Sequence, residues 1–319
     1  FSLIDLAGNN REINDPYMPD TGPDDSGAPI VDFGCLEHVP NSNNIGIWGG
    51  VANDDFNNPK NWLPYQTPDF GWTGLFNTSS EKFININRSS FADRLIINSG
   101  LITFDLTDES LYLGGNSEPL LIQSFEETST AIFKGPNAIL NLASNVQLDS
   151  ANLYFDDNIT VNATSIMLRN NAQIGFDGFL FGNIISDGGS LLPGNRGVGS
   201  LTINGSLNSD QNDANQNALV GRMLFDIAGT DFASYDFIEV TESIYDSTSI
   251  EVRWSGDYTP TSGDSYNILD VGNYAAFTTL VYGSGLPRGF SCQWYQPNSN
   301  GLMGGDDVAI ETTGPVEFD

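Results

Sequence analysis

From Phe83 to Leu207 the chain offers one short β-type run after another, with nowhere enough residues between them for a crossover helix. FININ, RLIIN, LITFDL, LYLGG, LLIQSF, AIFKG, AILNLA, NVQLDS, NLYFDD, ITVNA, SIMLRN and AQIGFDG follow one another at intervals of roughly ten residues or less, and SLTINGSL closes the series. Each alternates two or three apolar residues with polar ones, the period of a strand with one buried face. The breaks are Asn, Asp, Gly and Ser, residues that accept left-handed backbone or form Asx-turns, so the chain can turn a corner tightly. Parallel strands joined by corners instead of helices describe a right-handed parallel β-solenoid, and that all-β fold is the expectation here. At about twenty residues per rung, residues 81–207 make roughly six rungs, a rod of about 30 Å.

The rest of the chain divides around this coil. Residues 1–44 open with the apolar run FSLIDL and continue into a Pro-, Asp- and Gly-rich stretch without periodicity, which reads as an extended N-terminal arm. Residues 45–80 hold Trp48, Phe56, Trp62, Tyr65, Phe70, Trp72 and Phe76. Such a cluster either plugs the end of a solenoid, whose terminal rung otherwise exposes apolar surface, or forms a platform for sugar rings. The cap is the expectation. Residues 208–319 carry longer strands, such as YDFIEVTESI and SIEVRW, and read as a β-rich C-terminal capping region with antiparallel or mixed packing.

Charge excludes partners. With 41 acidic against 11 basic residues and a net charge of −30, the chain repels a phosphate backbone and an anionic membrane surface alike. No apolar run is long enough to span a bilayer, so no membrane insertion is expected. The chain begins with Phe1, which reads as a processed mature protein or a fragment of a longer one. The cysteines, Cys35 and Cys292, lie near opposite ends of the sequence, and a disulfide between them is expected at an extracellular or cell-surface address. Sequons at Asn77, Asn87, Asn158, Asn162 and Asn204 are glycosylation candidates, although a chain this rich in Asn, Ser and Thr produces about as many by chance.

The C-terminal half resembles the ends of autotransporter-like passengers and related secreted β-solenoid repeat proteins. Their pattern PG…GxLTIxGxL is matched by Pro193-Gly194 and Gly199–Leu207. The strand ending in IxG is matched by Ile227–Gly229, and the YDxLxV strand by Tyr235–Val240. GYTPxxGDxFxIL is matched by Gly256–Leu269, with Asp257 inserted and Tyr266 at the aromatic position, and LPxGL by Leu286, Pro287 and Gly289. IWGGVANDDFNNPKNW is similar to the TWxGGxxGxWxDxxNW opening of many such chains. The resemblance implies a secreted or surface-displayed solenoid and carries no catalytic residue.

Chemistry is sparse. The single histidine, His38, sits in a turn-rich segment, and no G-x-S-x-G elbow accompanies it. The N-T-D and G-H-G sets of polygalacturonase-like enzymes do not occur. The acidic pairs Asp24-Asp25, Asp54-Asp55, Asp156-Asp157 and Asp306-Asp307 are weak candidates, because adjacent strand residues point to opposite faces. Arg169 and Arg196 are the coil's candidates for a lyase base. Asp213, Asn215 and Asn217 place oxygens at the spacing that begins a calcium loop, but the sixth-position Gly and twelfth-position Glu are missing; calcium is the one ion offered, and no cofactor is expected. The reading is a non-enzymatic, secreted or cell-surface structural or adhesive protein. Its partners would be copies of itself, engaged through Phe1, Leu3, Ile4 and Leu6 by strand addition and building a filament, or an extracellular matrix or glycan. The competing reading is a polysaccharide-binding or polysaccharide-cleaving β-helix protein.

Overall fold

The computed structural model describes residues 44–69, 71–115, 118–124, 128–194, 197–207, 221–255, 258–282, 291–295 and 308–314, with the side chains of 245–248, 274–282 and 292–295 outside the description. Over these residues the protein is all-β, and its helical content is two single 3-10 turns, Pro59–Asn61 and Phe232–Ser234. The strands pair in three largely parallel ladders. Ladder A runs through Lys82–Asn85, Leu101–Asp105, Thr130–Lys134, the starts of Asn152–Arg169 and Gln173–Asp187, then Ser190–Pro193, Arg222–Ile227, Ser243–Trp254 and Tyr274–Tyr282. Ladder B runs through Ile45–Trp48, Thr73–Asn77, Arg94–Ser99, Leu120–Gln123, Val146–Asp149 and the ends of the two long strands. Ladder C runs through Ser90–Ala92, Ser110–Leu113, Ile139–Leu142, the middles of the two long strands, Ser200–Asn204, Phe237–Val240 and Ser265–Val271.

The chain visits the ladders in the order B, A, C and then returns to B one step along. Phe133 pairs with Phe155 and Phe155 with Phe176, steps of about twenty residues. Parallel pairing does not stop at Leu207. It continues through Tyr274–Tyr282, and among the described strands beyond Leu207 Val308–Thr313 and Ser291–Tyr295 add on antiparallel. The expected change of packing near residue 208 is thus a change near the very end of the described chain. The longer strands there extend the same ladders.

Register builds the core. Phe104, Phe133, Phe155 and Phe176 are successive partners on the inward face of ladder A, with ring centroids 4.7, 5.9 and 4.5 Å apart. Beside them Ile102, Ala131, Leu153, Ile174, Leu191, Met223 and Ile250 form a second buried column. Burying a ring of this size contributes about 1.5–3 kcal/mol, so the stacked columns dominate stability. The corners between ladders A and C use left-handed residues, Asp108, Asn137, Asp157 and Asn158 among them. Gly178 has φ +135° there, and a Cβ on it would fall on the Ile159 carbonyl of the preceding rung. The chain must pass so close at that corner that only glycine fits.

Candidate functional site

The aromatic cluster near the start of the described chain resolves into two sets. Trp48, Phe56, Trp62 and Phe76 are buried. Trp62 lies 5.0 Å from Trp48, 5.2 Å from Phe56 and 5.5 Å from Phe76, and Phe76 meets Phe104 at 5.3 Å, which joins the cluster to the ring column of ladder A. Trp62 Nε1 donates to the Phe56 carbonyl at 2.8 Å. Buried Asn61 knits the loop beneath: its Oδ1 accepts from the Ala52 and Asn53 amides, and its Nδ2 donates to Asn53 Oδ1 and the Asp55 carbonyl. These four rings have no free faces for a sugar. Tyr65 is exposed, Trp72 is half-buried, and Phe70 lies outside the described residues.

A second cluster occupies the far end of the ladders. Asp236 is fully buried, and its carboxylate accepts from the Gly199 amide at 2.8 Å and the Asp226 amide at 2.7 Å, tying ladder C to ladder A. Burial pushes its pKa up to about 8, against the pull of those two amides. Asp226 itself pairs with Arg253 at 2.9 Å on the next strand of ladder A. Nearby, Tyr235, Trp254 and Tyr258 pack around buried Tyr266. Asp264 accepts from the Thr261 amide and hydroxyl at 2.6 and 2.7 Å and from the hydroxyls of Tyr258 and Tyr266 at 3.0 and 3.3 Å. Burial raises the Asp264 carboxyl, but these hydrogen bonds outweigh it and hold the group low. Burial also raises both tyrosines. Asp236 and Asp264 escaped the sequence reading as a site. Their signal was the D of YDFIEV and of GDSY, visible only as turn residues ahead of strands.

The sequence-predicted residues scatter. Asp213, Asn215 and Asn217, together with Phe1, Leu3, Ile4, Leu6, Cys35, His38, Arg196, Asp24-Asp25 and Asp306-Asp307, lie outside the described residues. Cys292 is in the strand Ser291–Tyr295, with its side chain outside the description. Arg169 faces Asp187 at 3.9 Å. Asp156-Asp157 forms a corner, with Asp157 at positive φ. Among the described residues no three His, Cys, Asp or Glu side chains gather where a metal could bind. No helix among them is long and apolar enough to cross a membrane. Of the sequons, Asn77, Asn87, Asn158 and Asn204 are exposed. Asn162 is half-buried and donates from Nδ2 to Asn141 Oδ1 at 2.9 Å within ladder C.

Two outward strips follow from the same register. On ladder B the successive outward partners are Ile47, Leu75, Ile96, Leu121, Gln147, Met167 and Ile185, an aliphatic column interrupted once. Ile47 is 43% exposed, and Leu63, its antiparallel neighbour, 49%. On ladder C the column is Phe91, Tyr112, Asn141, Asn162, Phe181 and Asn204. No protein-family model matches the chain, and no curated protein is significantly similar to it.

Proposed function

We propose that the chain is a right-handed parallel β-solenoid, with an aromatic N-terminal cap and a β-rich C-terminal cap, that serves as a non-enzymatic structural or adhesive protein outside the cell or on its surface. Three continuous parallel ladders, each revisited about every twenty residues, support the solenoid. The right hand follows from the general rule for parallel crossovers. The resemblance of Gly199–Leu207 and Tyr235–Val240 to autotransporter-like passengers supports the address and the mechanical role.

The observation that carries the adhesive reading is the aliphatic column on ladder B. Six aliphatic side chains in one column of seven on a sheet face are uncommon on a solitary surface and mark a contact with a copy of the chain or with a matrix component. The test is sedimentation velocity of the protein and of the double variant Ile96→Asp, Leu121→Asp. Self-association that the variant abolishes supports lateral assembly. Monomers in both samples would remove copies of the chain as the partner. A reducing-sugar assay on polysaccharide substrates checks the non-enzymatic part: release of new reducing ends sinks it in favour of a polysaccharide-cleaving protein.

A further inference from the structure

The outward face of ladder C differs from the rest of this acidic surface. Over the rungs from Phe91 to Asn204 its two outward columns hold aromatic, amide, hydroxyl and aliphatic side chains and no charge, in a chain of net charge −30. Phe91, Phe179 and Phe181 are 41, 42 and 45% exposed. Phe91 lies against Tyr112 at one end, with ring centroids 5.8 Å apart. Phe181 lies three rungs beyond Tyr112, about 14 Å along the sheet. Between the aromatic groups sits the Asn141–Asn162 amide pair. Its bond leaves the Asn141 amide donors and the Asn162 carbonyl oxygen without a hydrogen-bond partner among the described residues. Acidic residues are displaced to the preceding corner, at Glu109, Asp157 and Asp177.

Part-exposed aromatic side chains at both ends of an amide step, on an uncharged strip edged by acids, fit one chemistry. A protein partner would favour a mainly apolar strip such as the column on ladder B. An acidic polymer would meet the carboxylates of the corner. A neutral sugar chain offers C–H faces to the rings and hydroxyls to the amides, and its advance per residue is close to the rung spacing of a sheet. We propose that this face binds a neutral polysaccharide lying along the stack, with sugar rings against Phe179 and Phe181 at one end and the exposed part of Phe91 at the other. The proposal rests on the adhesive reading above and names its partner class.

The experiment is affinity electrophoresis of the full chain, expressed in a host that does not N-glycosylate so that Asn162 stays bare. Gels contain a β-1,4-glucan, a β-1,3-glucan, a mannan or, as the acidic comparison, polygalacturonate. Retardation by at least one neutral polymer is expected. The variant Phe91→Ala, Phe181→Ala should bind that polymer roughly ten-fold more weakly while melting at the parent temperature. Because both side chains are outward, loss of binding through misfolding would show in the melt, and Asn141→Ala then serves as the second variant with the same expectation. Retardation by none of the neutral polymers, equal retardation by polygalacturonate, or unchanged binding in the variants overturns the proposal. Those outcomes leave the adhesive reading standing, since that reading rests on the column of ladder B and is tested separately, by the sedimentation of the Ile96→Asp, Leu121→Asp variant and by the search for new reducing ends.

Discussion

The two ends of the ladders close by different chemistry. The N-terminal cluster of Trp48, Phe56, Trp62 and Phe76 is dry, and its one prominent polar link is Trp62 Nε1 to a carbonyl. The C-terminal cluster mixes Trp254, Tyr235, Tyr258 and Tyr266 with two carboxylates, Asp236 and Asp264, that bind backbone amides and phenol hydroxyls. Both bury aromatic area at the end of a stack. Only the second contains groups that titrate. A dry plug resists changes of pH and yields to loss of volume, whereas a polar plug depends on each of its hydrogen bonds and on the protonation of its acids.

Four measurements put this contrast at risk. The largest effect belongs to Trp62→Ala, which empties the centre of the dry plug and should cost about 3–5 kcal/mol in urea unfolding, equally at pH 5 and pH 8. A cost that changes with pH would break the contrast. Next, Asp236→Ala strips the acceptor from the Gly199 and Asp226 amides and leaves two buried donors unmatched, for about 2–4 kcal/mol. Third is the pH profile. Asp236 titrates near 8 in the folded chain and near its ordinary value unfolded, so the folded state holds the extra proton between about pH 4 and 8. Its contribution is full below that window and is lost as pH rises through it. The wild-type urea midpoint should therefore fall from pH 5 to pH 8 more than that of Asp236→Asn, and parallel profiles would refute the assignment. Asp264 works in the opposite direction and only below about pH 4, where protonating its lowered carboxyl removes stability. The smallest effect is Tyr266→Phe, which keeps the ring and loses the hydroxyl at Asp264; about 1 kcal/mol is expected from thermal melts.

Much of the strand content was legible because alternation is local. RLIIN, LITFDL and SLTINGSL each carry their own inside and outside, and the strands Arg94–Ser99, Leu101–Asp105 and Ser200–Asn204 fall on them. The turn residues were legible too: Asn137, Asp157 and Asn158 sit at positive φ where the sequence breaks. What stayed hidden is register between rungs. Phe104, Phe133, Phe155 and Phe176 become one column only once corners of unequal length are closed, and nothing near Phe133 in the sequence points to Phe155. The outward strips were hidden for the same reason, since each contributes a single residue per rung. The mixed packing read for residues 208–319 left open which strands are parallel, and longer strands read alone do not show that 222–282 continue the ladders and that the antiparallel pairs come after them.

The stack also measures the chain against its own tether. From the rung of Ile45–Trp48 it is one step to Thr73–Asn77 and Ser90–Ala92, seven more along ladder C to Ser265–Val271, and two antiparallel steps to Ser291–Tyr295. Ten steps of about 4.8 Å in a straight stack place Cys292 about 48 Å from the level of Asn44. The nine residues from Cys35 to Asn44 reach at most about 32 Å, and a disulfide adds only about 6 Å between α-carbons. On reach alone, a bond between Cys35 and Cys292 of one chain therefore needs ladders that curve rather than run straight. Where the ladders run straight, Cys292 is within reach only of the Cys35 of a second chain. Under oxidising, non-reducing electrophoresis the protein should then run as a ladder of covalent multimers that reductant collapses, whereas a thiol-free monomer would mean that the ladders curve enough for the two cysteines of one chain to meet.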